Sequence, residues 1–103
     1  MTVTNVTTIT VQGTDGWNQM MENTAKAKAI LEKHGVKNFR LLVPVSGGAA
    51  SGTVHNSFEV DDFATLGRVL DAIYADPDMI ELMTSAGDSS SWVTSALMEI
   101  PLG

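Results

Sequence analysis

The stretch Gly52–Met83, GTVHNSFEVDDFATLGRVLDAIYADPDMIELM, holds a strand, a cap, a helix and a breaker in succession. Thr53–Val60 alternates, with Val54, Asn56, Phe58 and Val60 on one side and His55, Ser57 and Glu59 on the other. It therefore reads as a β-strand with one face on a core. Asp61 or Asp62 supplies an N-cap acceptor, and Phe63, Leu66, Leu70, Ile73 and Tyr74 follow at helical spacing. Asp76-Pro77 breaks that helix, because proline lacks an N–H and disfavours the helical conformation in the residue before it. Met79–Met83 adds another turn or two.

The same units recur outward from this stretch. Val3–Val11 is a β-branched strand with Val3, Asn5, Thr7, Ile9 and Val11 on one face and Thr4, Val6, Thr8 and Thr10 on the other. Gln12–Gly16 is a turn in which Thr14 or Asp15 can cap a helix carrying Trp17, Met20, Met21, Thr24, Ala27 and Leu31. Lys33 and His34 suit the negative end of that helix, and Gly35 stops it. Phe39–Val45 alternates again, and Pro44 marks it as an edge strand. The small-residue segment Ser46–Gly52 then makes a hairpin. With Val45 opposite Gly52, the register pairs Phe39 with Phe58, Val43 with Val54, Arg40 with Ser57 and Leu42 with His55. Trp92–Ile100 is the last strand and Pro101 ends it. The order is β-α-β-β-α-β, in one domain spanning 1–103.

Composition narrows the function. Twelve acidic residues against six basic ones give a net charge of −6. Such a surface disfavours nucleic acid, anionic membranes and strongly anionic substrates. The absence of cysteine excludes disulfides, thiolate metal sites and cysteine nucleophiles. No apolar run approaches the roughly 20 residues of a spanning helix, and the first residues lack the features of a signal peptide. The expectation is a soluble, cytoplasmic protein.

This order of elements predicts an α+β, ferredoxin-like fold, with a four-stranded antiparallel sheet and two helices on one face. The other face holds Thr4, Val6, Thr8, Thr10, Arg40, Leu42, Thr53, His55, Ser57 and Glu59 with one row of the last strand, either Trp92/Thr94/Ala96/Met98/Ile100 or Val93/Ser95/Leu97/Glu99. It is too apolar for a bare wet face and too polar for a core. A face lining a lumen, closed by the sheet of a second copy, fits that composition.

The chain resembles the dimeric α/β barrel superfamily, which includes antibiotic-biosynthesis-type monooxygenases and EthD-like, NIPSNAP-like and stress-responsive proteins. The likeness covers nearly the whole chain and is strongest over Phe58–Met83, where strand, capped helix and Asp-Pro breaker recur. It implies a homodimer with a lumen, and members include enzymes that work without metal or prosthetic group. Asn5 stands where the haem-degrading branch has a first-strand asparagine. That branch's iron-binding histidine has no counterpart, however, since the second helix offers Tyr74 and Asp76. Neither a cofactor nor a metal is expected.

Other owners of the topology fit less well. An RNA-recognition domain needs stacking aromatics on its open face, where this chain has Thr4, Val6, Thr8, Thr53, His55 and Ser57. Val11-Gln12-Gly13 matches the turn of acylphosphatases, yet their phosphate-binding arginine is replaced by Trp17. Ser46–Gly52 lacks the lysine of a P-loop.

The candidate catalytic residues are His55 and Arg40. Across the hairpin Arg40 lies opposite Ser57 and diagonal to His55 and Glu59, at roughly 7–8 Å between backbones. An imidazole beside a fixed cation can take a proton from an acidic carbon or phenol while the cation holds the anion. The simpler reading is an Arg40–Glu59 cross-strand salt bridge with His55 packed at a dimer seam. Ser57, Glu59, Trp92, Thr8 and Leu42 are the candidate ligand-binding residues. The expected function is a homodimeric barrel that binds a small apolar or aromatic metabolite in its lumen, with cofactor-independent acid/base chemistry of monooxygenase or isomerase type. The alternatives are a noncatalytic dimerisation or stress-associated protein with a filled lumen, and a regulatory ligand-binding module.

Overall fold

A computed structural model of the chain describes residues 2–11, 13–46, 52–86 and 91–102, with the side chains of Ala86, Ser91 and Trp92 outside that description. Four strands, β1 (Val3–Thr10), β2 (Lys37–Leu42), β3 (Thr53–Val60) and β4 (Ser91–Met98), form one antiparallel sheet in the order β2-β3-β1-β4. Three helices, α1 (Gly13–Lys33), α2 (Phe63–Ala75) and α3 (Pro77–Ala86), complete the ferredoxin-like fold.

Each helix end has a local cause. The backbone N–H of Val36 and that of Gly35 donate to the carbonyls of Leu31 and Glu32, and Gly35 takes φ 90°, so α1 ends in a Schellman turn. At the other end α1 begins at Gly13, ahead of the expected caps, and places Asp15 in its first turn. The Asp62 carboxylate accepts the Thr65 N–H at 2.7 Å and caps α2.

Asp76 joins three helices. Its backbone N–H closes α2 onto Ile73, its carbonyl accepts from Ile80, and its carboxylate accepts the Asp78 N–H at 2.9 Å, so it opens α3 as it closes α2. Lys33 Nζ at 2.7 Å and His34 Nε2 at 2.8 Å bind its other oxygen from the end of α1. Those two hydrogen bonds hold the carboxyl far below the ordinary carboxylate range, although its side chain is only 5% exposed. His34 therefore ties two helices together besides meeting the end of its own. The expected extra turn after Pro77 is a full ten-residue helix because this cap starts it.

The core lies between the helices and one sheet face. Val3, Phe58 and Val60 from the sheet meet Ile30, Leu31, Leu66, Val69, Ile73 and Met79 from the helices, with Val36 beside them. Trp17 and Met21, expected in the first-helix stripe, are largely exposed. The β2–β3 register departs from the expected one at both ends. Arg40 faces Ser57, Leu41 faces Asn56 and Leu42 faces His55 as expected, but Lys37 faces Glu59, so Asn38 and Phe39 of β2 oppose the single residue Phe58 of β3. Asn38, at φ 52°, is in this bulge, a conformation asparagine tolerates better than most residues. The strand stops at Leu42, so the Val43–Val54 pairing does not form. Pro44 follows the edge strand and has no N–H to extend it. The hairpin loop 47–51 and the serine run at 87–90 lie outside the described residues.

Candidate functional site

The two sheet faces carry different polar groups. On the face away from the core, Thr8 pairs with both His55 and Val93, Val6 with Ser57 and Ser95, and Thr4 with Glu59 and Leu97. The row of β4 on this face is thus Val93/Ser95/Leu97. By register Trp92 belongs to the other row, opposite Ile9, and its side chain lies outside the described residues.

Of the residues singled out from the sequence, Thr8, Arg40, Leu42, His55, Ser57 and Glu59 share this outer face. Thr8 Oγ1 is 2.9 Å from His55 Nδ1, and Thr53 Oγ1 is 3.4 Å from His55 Nε2, so two hydroxyls orient the imidazole. Glu59 is engaged by the bulge, where Asn38 Nδ2 donates to it at 2.6 Å. The Arg40–Glu59 salt bridge is therefore not formed, and exposed Arg40 has no ion-pair partner among the described residues. Ser57 is 3% exposed, and its hydroxyl is buried without a hydrogen-bond partner.

A cavity of about 180 Å³ opens on the opposite face, between sheet and helices. Its floor is the inner row of β1, β3 and β4: Asn5, Thr7, Ile9, Asn56, Phe58 and Thr94. Its walls come from Met20, Asn23, Thr24, Ala27 and Leu31 of α1, Leu70, Ile73 and Tyr74 of α2, and Met79, Leu82 and Met83 of α3. The walls are chiefly apolar and the floor is polar. Thr7 and Thr94 satisfy each other at 3.1 Å, Asn23 accepts from Gln19, and the Thr24 hydroxyl donates to Met20 Sδ. The Asn5 and Asn56 carboxamides have no side-chain partner among the described residues, and Asn5 is only 5% exposed. The Asn5 carboxamide offers both an N–H donor and a carbonyl acceptor to the cavity.

Charge is missing from this lining. Among the described residues the phenol of half-exposed Tyr74 is its sole titratable group, and no Lys, Arg, His, Asp or Glu joins it. Among the described residues no three His, Asp or Glu side chains converge as a metal site would need. No helix among them is long and apolar enough to cross a membrane.

The sequence reading did not single out Asn56, Thr7, Asn23 or Thr94. A signal was present all the same: Asn5, Thr7 and Asn56 occupy the core-facing register of two central strands, where apolar residues are the rule.

No protein-family model matches the chain, and no curated protein matches it in sequence. Solved structures do match in fold. SnoaB, a cofactor-independent oxygenase from Streptomyces nogalater, superposes with a TM-score of 0.74 at 19% identity, over 97% of this chain and 94% of that one. A dabb family protein with a ferredoxin-like fold from Mesorhizobium loti gives 0.68 at 19% identity, over 99% and 98%. An uncharacterized NIPSNAP domain protein from Burkholderia xenovorans gives 0.78 at 12% identity, over 98% and 97%. Across nearly its whole length, then, this chain has the ferredoxin-like fold that these oxygenase, dabb and NIPSNAP proteins share.

Proposed function

We propose that the chain binds a small, largely apolar aromatic molecule in the cavity between its helices and sheet. The observation that carries this reading is the Asn5 carboxamide, which has no side-chain partner among the described residues and lines the floor of an apolar-walled cavity. The likeness in fold to a cofactor-independent oxygenase supports a chemical role beyond binding. For an enolisable or phenolic substrate, loss of a proton leaves an anion that the amide N–H groups of Asn5 and Asn56 stabilise, as donors aimed at developing charge do. Tyr74 at the cavity wall is the group placed to exchange a proton. If the carbanion then reacts with dioxygen, a CH₂ group becomes a carbonyl, one oxygen atom enters the product and the other leaves as water.

The outer face is assigned to a homodimer. Val93 and Leu97 are 67% and 52% exposed beside half-buried Val6, an apolar strip that a second sheet would cover. A second reading puts chemistry on that face, within the lumen between two sheets. It is favoured by the buried Ser57 hydroxyl, unpartnered among the described residues, opposite exposed Arg40 and next to an imidazole already oriented by Thr8.

Thermal shift against a panel of phenols and polyketide-like aromatics, followed by turnover in air of any hit, separates the two. The cavity reading expects Asn5→Ala to abolish the shift and the turnover while His55→Ala keeps both. Loss of turnover in His55→Ala with Asn5→Ala unaffected moves the site to the outer face.

A further inference from the structure

Resting on the cavity reading above, we infer that the ligand is a neutral molecule of one or two fused rings with a hydrogen-bond donor and an acceptor on adjacent ring atoms, as in a lactam. Three features lead to this class. The first is charge: among the described residues no cation lines the cavity to pair with a carboxylate or phosphate, and no carboxylate lines it to pair with an amine. Burying an unpaired ion there would be far costlier than burying a neutral group. The net charge of −6 adds a long-range penalty for anions.

Hydrogen-bond pattern supplies the second feature. Asn5 faces Phe58 and Thr7 faces Asn56, so the two asparagines are diagonal neighbours on one face of β1 and β3. That places their backbones roughly 7–8 Å apart, within reach of one small ring system. A carboxamide presents an N–H donor beside a carbonyl acceptor, and a lactam edge presents the complement. The remaining hydroxyls on the floor are already engaged, since Thr7 and Thr94 bind each other. Size is the third feature. A cavity of about 150 Å³ lined by aliphatic and aromatic groups accommodates benzene. One of about 180 Å³ has room for one or two rings.

A matched series tests the class by isothermal titration on the whole chain: 2-quinolone, naphthalene, quinoline-2-carboxylate and the tricyclic lactam 6(5H)-phenanthridinone. The expected result is that 2-quinolone binds at least about tenfold more tightly than each of the others. Asn56→Ala and Asn5→Leu, checked for native melting by circular dichroism, should lower 2-quinolone affinity to that of naphthalene and leave naphthalene binding intact. Should Asn5→Leu fail to fold, the Asn56→Ala result stands as the test. Equal or tighter binding of the carboxylate or the tricycle overturns the inferred class while sparing the cavity reading. So does an unchanged preference for 2-quinolone in the variants. Failure of all four probes, naphthalene included, overturns the cavity reading itself.

Discussion

The inner and outer faces of one sheet use the same strands for opposite purposes. On β1 and β3 the inner row holds Asn5, Thr7 and Asn56 among apolar side chains, roofed by three helices around a cavity. The outer row holds Thr8, His55 and Ser57, bordered by exposed Val93 and Leu97. Histidine and arginine draw attention to the outer face because they carry recognisable acid/base chemistry. The cavity lies on the other side, lined by amides that are easily overlooked. The lesson is that polar residues in a core-facing register point to a cavity floor, which titratable residues on an open face do not locate.

The comparison breaks most visibly in stability. Phe58, 3% exposed on the inner face, anchors sheet to helices and cavity floor. Its replacement by alanine should cost about 3–5 kcal/mol in urea denaturation, a typical penalty for deleting a buried ring. Leu97→Ala on the outer face, measured at concentrations too low for association, should cost less than about 1 kcal/mol. Comparable costs at the two positions would mean that the faces are not distinct.

Association is the next test. Leu97→Asp puts a charge into the strip assigned to the second copy, so sedimentation should show dimer affinity reduced at least about a hundredfold, some 2.8 kcal/mol. Ligand binding per chain should stay unchanged. Lost binding in the monomeric variant would place the site between the sheets.

A smaller effect concerns the helix junction above the cavity. The Asp76 carboxyl is held low by Lys33 and His34, so near pH 4 the unfolded chain binds more protons there than the folded one. Its stabilising contribution is complete above the ordinary carboxylate value of about 4 and is lost as pH falls towards the lower folded-state value. Asp76→Asn should therefore be less stable than the native chain at pH 7, and the gap should narrow steadily from about pH 4 to pH 2 in urea melts. A gap independent of pH would mean that the carboxylate charge is irrelevant to the junction.

Much of this architecture was legible in the residues. Alternation in Thr53–Val60, the Asp62 cap, the Asp76-Pro77 breaker and the Gly35 stop each depend on a few neighbouring residues, and each stands where local chemistry placed it. The bulge at Asn38 and the early end of β2 were not legible, because a two-against-one bulge depends on the partner strand. The three-way role of Asp76 was hidden for a similar reason: Lys33 and His34 lie more than forty residues away in sequence. The cavity was half legible. Asn5, Thr7 and Asn56 could be assigned to the inner row from alternation alone, but whether helices fill the space above them depends on side-chain packing across three helices. His55 and Arg40 share one face as their alternation implied, yet no strand pattern says which face carries a cavity.

The central claim, that ligand binds between helices and sheet, is tested most directly through the methionine methyl groups. Met20, Met79 and Met83 line the cavity, whereas Met21 of the same α1 helix does not. With ¹³C-labelled methionine methyls, titration with 2-quinolone should move the Met20, Met79 and Met83 resonances through the ring current of the bound molecule. The signals of Met21 and the His55 imidazole should stay in place. Movement of the His55 signals with all three cavity methionines unchanged would contradict the account.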